Sequence, residues 1–375
     1  MLADPTDSPL ALETRFPQLR GRLPRAVLTD LPTPVARLQH LGDELAGSEL
    51  WIKRDDISSP LYGGNKPRKL ELLLGRAVAT GKTTLLTTGG IGTHHGLATA
   101  VCGRALGLRT ILVLLEQPVT ESVRRCLLLD HAAGAELHWA PNVPKLTACA
   151  LRLVSRESLR GSPPYIIATG GTSTIGTIGY VNAAFELAEQ IERGELPEPS
   201  QIFVPTGSGG TLAGLALGLK LAGLRSRVVG VVVTDILPPS AARIARLARA
   251  AALHLHQHDE SLPRVTVTPD DFGMLWNYVG AGYGHPTGEG QQALAMLREL
   301  EGITLDTTYT AKTLAAVLDG VRAQRFGPGP LLFWNTYSSI DPADHLGPLP
   351  DYRQLPQPFH RFFEGKAVST SIGAA

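Results

Sequence analysis

Cysteine is scarce: Cys102, Cys126 and Cys149 are the only three in 375 residues. They are too few for a disulfide-stapled scaffold, and none forms a C-x-x-C pair, which argues against a structural zinc site. Charge is sparse too, at 18% of residues against a usual value of about 25%. Neither sign dominates, with 35 Lys and Arg against 34 Asp and Glu. A net charge of +1 leaves no broad basic footprint for nucleic acid. No run approaches the roughly 20 apolar residues that a membrane helix needs. The opening stretch, Met1 to Asp7, is acidic and broken by Pro5, with neither the basic nor the apolar part of a signal peptide. The expectation is a soluble cytoplasmic protein, with no nucleic-acid or membrane partner.

What the chain does have is glycine (40) and proline (28), spread along its length as punctuation. At about 150 residues per domain, its length suggests about two domains. From Lys82 onward, short apolar runs at 85–88, 110–115, 165–168, 202–205, 228–233 and 331–334 alternate with segments of helical spacing. Those segments lie at 96–106, 122–133, 178–193, 212–221, 288–300 and 311–324. Runs too short for helices, rich in Val, Ile and Leu, read as parallel strands joined by crossovers. The fold class is therefore α/β, with helices on both faces of buried, mostly parallel sheets. Such sheets bind ligands beyond the carboxyl ends of their strands. Three loops there, 87–95, 169–177 and 205–211, are rich in Gly and hydroxyl residues. The Pro-rich tail 346–358 is expected to wrap the surface and 369–375 to fray.

Thr206-Gly207-Ser208-Gly209-Gly210-Thr211 follows an apolar run and opens a helical segment. Glycines there let backbone N–H groups converge, and a helix N-terminus adds about half a positive charge. The loop reads as a cradle for a phosphate monoester. A turn that only permits close packing is the plainer alternative. It is not a Walker A loop, because no Gly-Lys-Ser/Thr follows, and it lacks the context of a dinucleotide fingerprint.

Gly63-Gly64-Asn65-Lys66-Pro67-Arg68-Lys69-Leu70-Glu71 follows residues 51–56, which read as a strand ending in charges. A lysine set by a Gly-Gly turn can be buried. Burial lowers its pKa, and a neutral amine can form a Schiff base. A solvated basic helix start is the alternative, although basic residues there oppose the helix dipole. In the third segment, 87–96, backbone N–H groups could hold a carboxylate. His94 and His95 point different ways on a helix and make a poor metal pair. His254, His256 and His258 follow an Ala/Arg-rich helix and read as a solvated face, so no metal site is expected.

A phosphate cradle, a buried lysine and a carboxylate-holding loop together suit pyridoxal 5′-phosphate. From about Leu31 to Ser339 the chain resembles the 1-aminocyclopropane-1-carboxylate deaminase / D-cysteine desulfhydrase family of fold-type II, tryptophan-synthase-β-like enzymes. The resemblance rests on Leu31-Pro32-Thr33-Pro34-Val35, Lys53-Arg54-Asp55-Asp56, the Gly63–Glu71 string, Gly170-Gly171-Thr172 with Gly179-Tyr180-Val181, and the Gly207–Thr211 loop.

The resemblance implies two open, twisted sheets in two domains. Residues 1–67 with 170–375 would form a large cofactor-binding domain, and 68–169 a small α/β domain closing over the substrate. It implies Lys66 as the Schiff-base lysine, Lys69 near the cofactor phosphate, and residues Thr206 to Thr211 around that phosphate. Tyr283 and Tyr309 match two active-site tyrosines. Thr93, His94 and His95 occupy the substrate-carboxylate loop, where the family usually has Ser-Asn followed by Gln or His. His94 thus replaces an asparagine expected beside the cofactor. Thr310 and Thr336 take positions where the ring-opening branch tends to carry Glu and Leu. Hydroxyls near the pyridine nitrogen would make the ring a weaker electron sink, which suits β-elimination.

The implied reaction is loss of a β-substituent from a small amino acid such as D-cysteine, giving pyruvate, ammonia and sulfide. Alternatives are ring-opening deamination, a lyase acting on a sulfonate-bearing amino acid such as cysteate, a racemase, or a cofactor-binding protein without turnover. A homodimer is usual among such relatives.

Overall fold

Short strands, the central ones buried on both faces, place the glycine- and hydroxyl-rich loops. The computed structural model describes residues 8–236 and 238–367. Among the described residues, ten strands form two sheets: β1 (Val35–Arg37), β2 (Leu50–Lys53), β3 (Thr84–Gly90), β4 (Arg109–Leu115), β5 (Glu136–Ala140), β6 (Tyr165–Ile167), β7 (Gln201–Thr206), β8 (Arg227–Val232), β9 (Phe272–Leu275) and β10 (Leu331–Trp334). The six-stranded sheet runs β1-β2-β10-β7-β8-β9, and the four-stranded sheet runs β5-β4-β3-β6. Only β1, paired with β2, is antiparallel.

All six apolar runs are strands, and 51–56 begins in β2. The strands without such a run are β1, β5 and β9, and all three are sheet edges. An edge strand is only half covered, so polar residues such as Glu136 and His138 remain. Central strands carry near-continuous apolar runs, as in Ile111, Leu112, Val113 and Leu114, all buried.

Among the described residues, the α-helices of five or more residues are α1 (Ala11–Arg15), α2 (Gln39–Glu44), α3 (Asn65–Ala79), α4 (His94–Ala105), α5 (Glu121–Ala132), α6 (Val143–Leu159), α7 (Thr174–Glu192), α8 (Gly210–Ala222), α9 (Ala241–His258), α10 (Gly288–Glu301) and α11 (Thr310–Arg322). Hydroxyl and amide side chains cap six of them, at Thr93, Thr120, Asn142, Ser173, Ser240 and Thr287. The three histidines expected after the Ala/Arg-rich helix lie inside α9, where the His254 and His258 rings meet with centroids 4.5 Å apart.

Helix α3 carries the Lys66 string, and its two faces do different work. Residues three apart share a face. Lys66 and Lys69 face a cavity. Arg68 and Glu71 face buried anchors. Arg68 donates to Asp55 at 2.7 Å and to Glu186 at 2.8 Å. Lys53 donates to Glu186 and to Gln190, each at 2.5 Å, and Tyr180 donates to Asp55 at 2.6 Å. Glu71 accepts from Arg25, from the Leu28 and Thr29 N–H groups, and from the Thr29 hydroxyl. Two buried cations thus meet two buried carboxylates beneath the helix start, so no charge there stays uncompensated.

The tail behaves differently from the sequence reading, which assigned everything after 170 to the larger unit. Leu355, Phe359 and Phe362 are buried in the core cluster flanking the smaller sheet, with Leu70, Leu97 and Leu127. Their apolar spacing lets this segment bury side chains rather than only wrap the surface. Arg124 donates to Phe362 O at 2.8 Å and adds a polar tie. Residues 369–375 lie outside the described residues.

Candidate active site

The carboxyl ends of β3, β7 and β10 open on one cavity of about 630 Å³ between the two sheets. Lys66 stands just inside α3, after the Gly63-Gly64 turn. Gly64 has φ of 85°, and a Cβ there would lie 2.6 Å from Thr336 O and 2.7 Å from Tyr337 O. Only glycine lets the helix start so close to the loop after β10. Lys66 Nζ donates to Asn65 Oδ1 at 2.5 Å. Burial lowers its amine from 10.5 to about 8, with Asp306 pulling partly the other way.

The glycine loop between β7 and α8 forms a cup beside that amine. Gly209 is left-handed, with φ of 89°. A Cβ on Gly210 would lie 2.7 Å from Thr172 Oγ1 and 3.2 Å from Lys69 Nζ, so it would fill the cup. Ser208 Oγ and Thr172 Oγ1 are 2.5 Å apart, and Asn65 Nδ2 donates to Thr211 Oγ1 at 3.1 Å. Lys69 donates to Gly170 O at 3.3 Å. Burial, and then the Lys66 charge, push the Lys69 amine well below the usual lysine range. Backbone N–H groups at a helix start, hydroxyls and an amine are the donor set a phosphate dianion satisfies.

Thr93 caps α4 by accepting from Gly96 N at 3.3 Å. His95 Nε2 lies 3.0 Å from Thr87 Oγ1, whose own proton goes to Ile167 O at 2.8 Å. His95 Nε2 is therefore the donor. Burial, and then Lys66 and Lys69, hold its imidazole well below the ordinary value, which keeps it neutral. His94 Nδ1 lies 2.7 Å from the Tyr62 hydroxyl. The Tyr283 and Tyr309 hydroxyls are 2.6 Å apart. Burial raises both phenols, so each stays protonated at neutral pH.

Lys66, Lys69, Thr93, His94, His95, Gly207, Ser208, Gly209, Gly210, Thr211, Tyr283, Tyr309 and Thr336 all line this cavity. Two residues expected there turn away. The Thr310 hydroxyl donates to Asp306 Oδ1 at 2.7 Å inside the start of α11 and is fully buried. The Thr206 side chain packs toward β8, where a Cβ on Gly230 would lie 2.4 Å from its Oγ1. The weaker electron sink argued from a hydroxyl at 310 therefore loses that residue.

The residue reasoning missed Asp306, which lines the cavity and accepts from the Thr308, Tyr309 and Thr310 N–H groups. An Asp just before a helical run is a capping signal that could have found it. Asn65, Thr172, Tyr62 and Tyr337 also line the cavity, and the first two stand inside motifs already quoted.

A family model described as pyridoxal-phosphate dependent enzyme matches residues 28–336. The chain belongs to that family. Pyridoxal phosphate fits the site: an amine of lowered basicity stands beside an anion cup that any Cβ at 210 would fill. The D-cysteine desulfhydrases of Salmonella schwarzengrund and Salmonella newport are each 36% identical to this pyridoxal-phosphate enzyme over 322 residues. In each case the match spans 84% of this chain and 94% of the relative. A crystal structure described as an ACC deaminase homologue superposes with a TM-score of 0.74 at 32% identity, covering 88% of this chain and 97% of that one. Threonine deaminase isoform 2 of Solanum lycopersicum shares the fold, with a TM-score of 0.57 at 15% identity over 90% of this chain and 87% of its own. Among the described residues, no helix is long and apolar enough to cross a membrane.

Proposed function

We propose that this enzyme is a lyase that converts D-cysteine and water to pyruvate, ammonia and hydrogen sulfide. The observation that carries the reading is a pair of neutral tyrosine hydroxyls, Tyr283 and Tyr309, in the same cavity as a lysine of lowered basicity. The Tyr309 ring centroid lies 6.0 Å from Lys66 Nζ. Elimination needs a base for the Cα proton and an acid for the leaving thiolate, and this cavity holds both.

Lys66 would carry pyridoxal phosphate, with its phosphate in the cup formed by residues 207–211 and Lys69. The bound cofactor supplies an electron sink for negative charge at Cα. Lys66 Nζ, when free of the cofactor, would take the Cα proton, and Asn65 would hold that amine in place. The Tyr283 and Tyr309 hydroxyls, sharing one hydrogen bond, deliver a proton toward the departing sulfur. Thr93 and the N–H groups at the start of α4 bind the substrate carboxylate. Thr336, on the cavity wall, would contact the bound cofactor. Residues 68–169, with Leu355, Phe359 and Phe362 of the tail packed on them, form the smaller unit that closes over the substrate. The enzyme works in the cytoplasm as a homodimer.

Ring-opening deamination is the second reading, and Asp306 favours it. Asp306 adds an acidic residue to a cavity wall where the sequence placed only hydroxyls, although its oxygens accept from the start of α11. Assays on purified protein separate the two. Pyruvate from D-cysteine supports the first reading, and 2-oxobutyrate from 1-aminocyclopropane-1-carboxylate supports the second. Borohydride reduction followed by peptide mapping should put the cofactor label on Lys66, and a label elsewhere rejects both.

A further inference from the structure

Behind the lysine, the cavity wall is made of three aromatic side chains that the reaction described above does not use. Tyr62 and Tyr337 hold the His94 ring between them. The Tyr62 hydroxyl is 2.7 Å from Nδ1, and the Tyr337 ring meets the imidazole edge to face with centroids 5.7 Å apart. His94 lines both the main cavity and a second one of about 450 Å³, and Tyr62 and Tyr337 line both with it.

The hydrogen-bond inventory decides where the His94 proton sits. Tyr62 is 3% exposed, and among the described residues its hydroxyl has no partner other than His94 Nδ1. A phenol has one proton to give. If Nδ1 carried the imidazole proton, it would donate to the Tyr62 oxygen, and the Tyr62 proton would have no protein acceptor among the described residues. Leaving a buried donor unsatisfied costs about 1–3 kcal/mol. The lower-energy arrangement has Tyr62 donating to a bare Nδ1, with the imidazole proton on Nε2.

Electrostatics keep the ring neutral. Burial lowers the His94 basicity, the Lys66 charge lowers it further, and Asp306 only partly offsets them. Tyr62 stays protonated, because burial raises its phenol well above the usual value. Burial also pushes Tyr337 up to about 12.

We propose that Tyr62 is a positioning residue that locks His94 as a neutral donor through Nε2–H, so that position 94 binds an anionic oxygen in the cavity and does not act as a base. That oxygen belongs to the cofactor ring or to the substrate carboxylate. This inference rests on the pyridoxal-phosphate reading for its ligand but not for its tautomer. It assigns a role to a tyrosine outside the motifs quoted from the sequence. It also explains how a titratable side chain can stand where a donor of constant protonation is needed.

The test uses the full chain loaded with pyridoxal phosphate and labelled with ¹⁵N-histidine. Nitrogen shifts of His94, assigned by the loss of signal in His94→Asn, should show Nε2 protonated and Nδ1 bare from about pH 6 to about pH 9. A proton on Nδ1, or titration within that range, overturns the proposal. In Tyr62→Phe the shifts should report a mixture of tautomers. If the anionic oxygen is the cofactor's, the visible band of the bound cofactor should move and KM should hold. If it is the substrate's, the band should hold and KM should rise about tenfold. Neither change in a folded Tyr62→Phe overturns the role. In a His94→Asn background, Tyr62→Phe should add nothing, since an amide donor has no tautomer to set, and an undiminished effect there also counts against it. Should Tyr62→Phe fail to fold, the wild-type shifts still decide. Failure of the cofactor reading shows separately, as protein without a borohydride-fixed label, and the tautomer can still be read on that same chain.

Discussion

Lys66 Nζ donates to its own neighbour, Asn65 Oδ1, at 2.5 Å, and Asn65 passes a second hydrogen bond to Thr211 at 3.1 Å. One amide thus ties the Lys66 amine to the glycine cup. Asn65→Leu removes both bonds while keeping a helix-compatible side chain. Cofactor affinity should weaken by about tenfold or more, as expected for losing a hydrogen bond to a charged group. Titrating cofactor-free protein with pyridoxal phosphate and following the visible band measures this. An unchanged affinity would remove Asn65 from the site.

The Lys66 amine is lowered to about 8. Capture of an aldehyde needs the neutral amine, so the rate at which cofactor-free protein takes up pyridoxal phosphate should rise with pH and level off above about 8. Lys66→Arg should abolish the visible band at every pH. A capture rate still climbing at the ordinary lysine value would show that burial does not tune this group. The same shift bears on stability. Between about 8 and 10.5 the unfolded chain binds the proton that the folded chain has lost, so this group's contribution to stability rises with pH across that window.

Tyr283 and Tyr309 share one hydrogen bond, so they should act as a unit. Tyr309→Phe and Tyr283→Phe should each slow pyruvate release by about 100-fold, the lower range for a positioned proton donor, with bound cofactor retained. The double variant should be little worse than either single one. Additive losses in kcat would mean two independent roles.

Glu186 lies under α3 between Arg68 and Lys53. Burial works against its ionisation, yet the two cations win and hold its carboxyl down at about 2. A carboxylate with a depressed folded value adds stability above its unfolded value of 4.5, and that stability fades as pH falls toward 2. Urea unfolding should therefore show a steep loss of stability across that interval. Glu186→Leu should flatten the dependence. It should also cost about 3–5 kcal/mol at neutral pH, because Arg68 and Lys53 would keep only Asp55. A neutral-pH midpoint equal to wild type would show that the network contributes little.

The sequence by itself determined the α/β class, because the central strands are buried on both faces and must read as apolar runs. It also marked the glycine turns before α3 and α8, since a glycine turn before a helix constrains the backbone locally. Edge strands β1 and β5 were hidden because each keeps polar residues, and β9 because four residues with a glycine make too short an apolar run. Only the tertiary structure decided which hydroxyl residues line the cavity. Thr310 and Thr336 look alike as letters, yet Thr310 turns to Asp306 and Thr336 to the cavity. It also joined Tyr62 to His94, 32 residues apart, and brought Phe359 and Phe362 back to the smaller sheet. A side chain's direction follows from where its helix or loop packs, and packing between distant segments leaves no periodic mark along the chain.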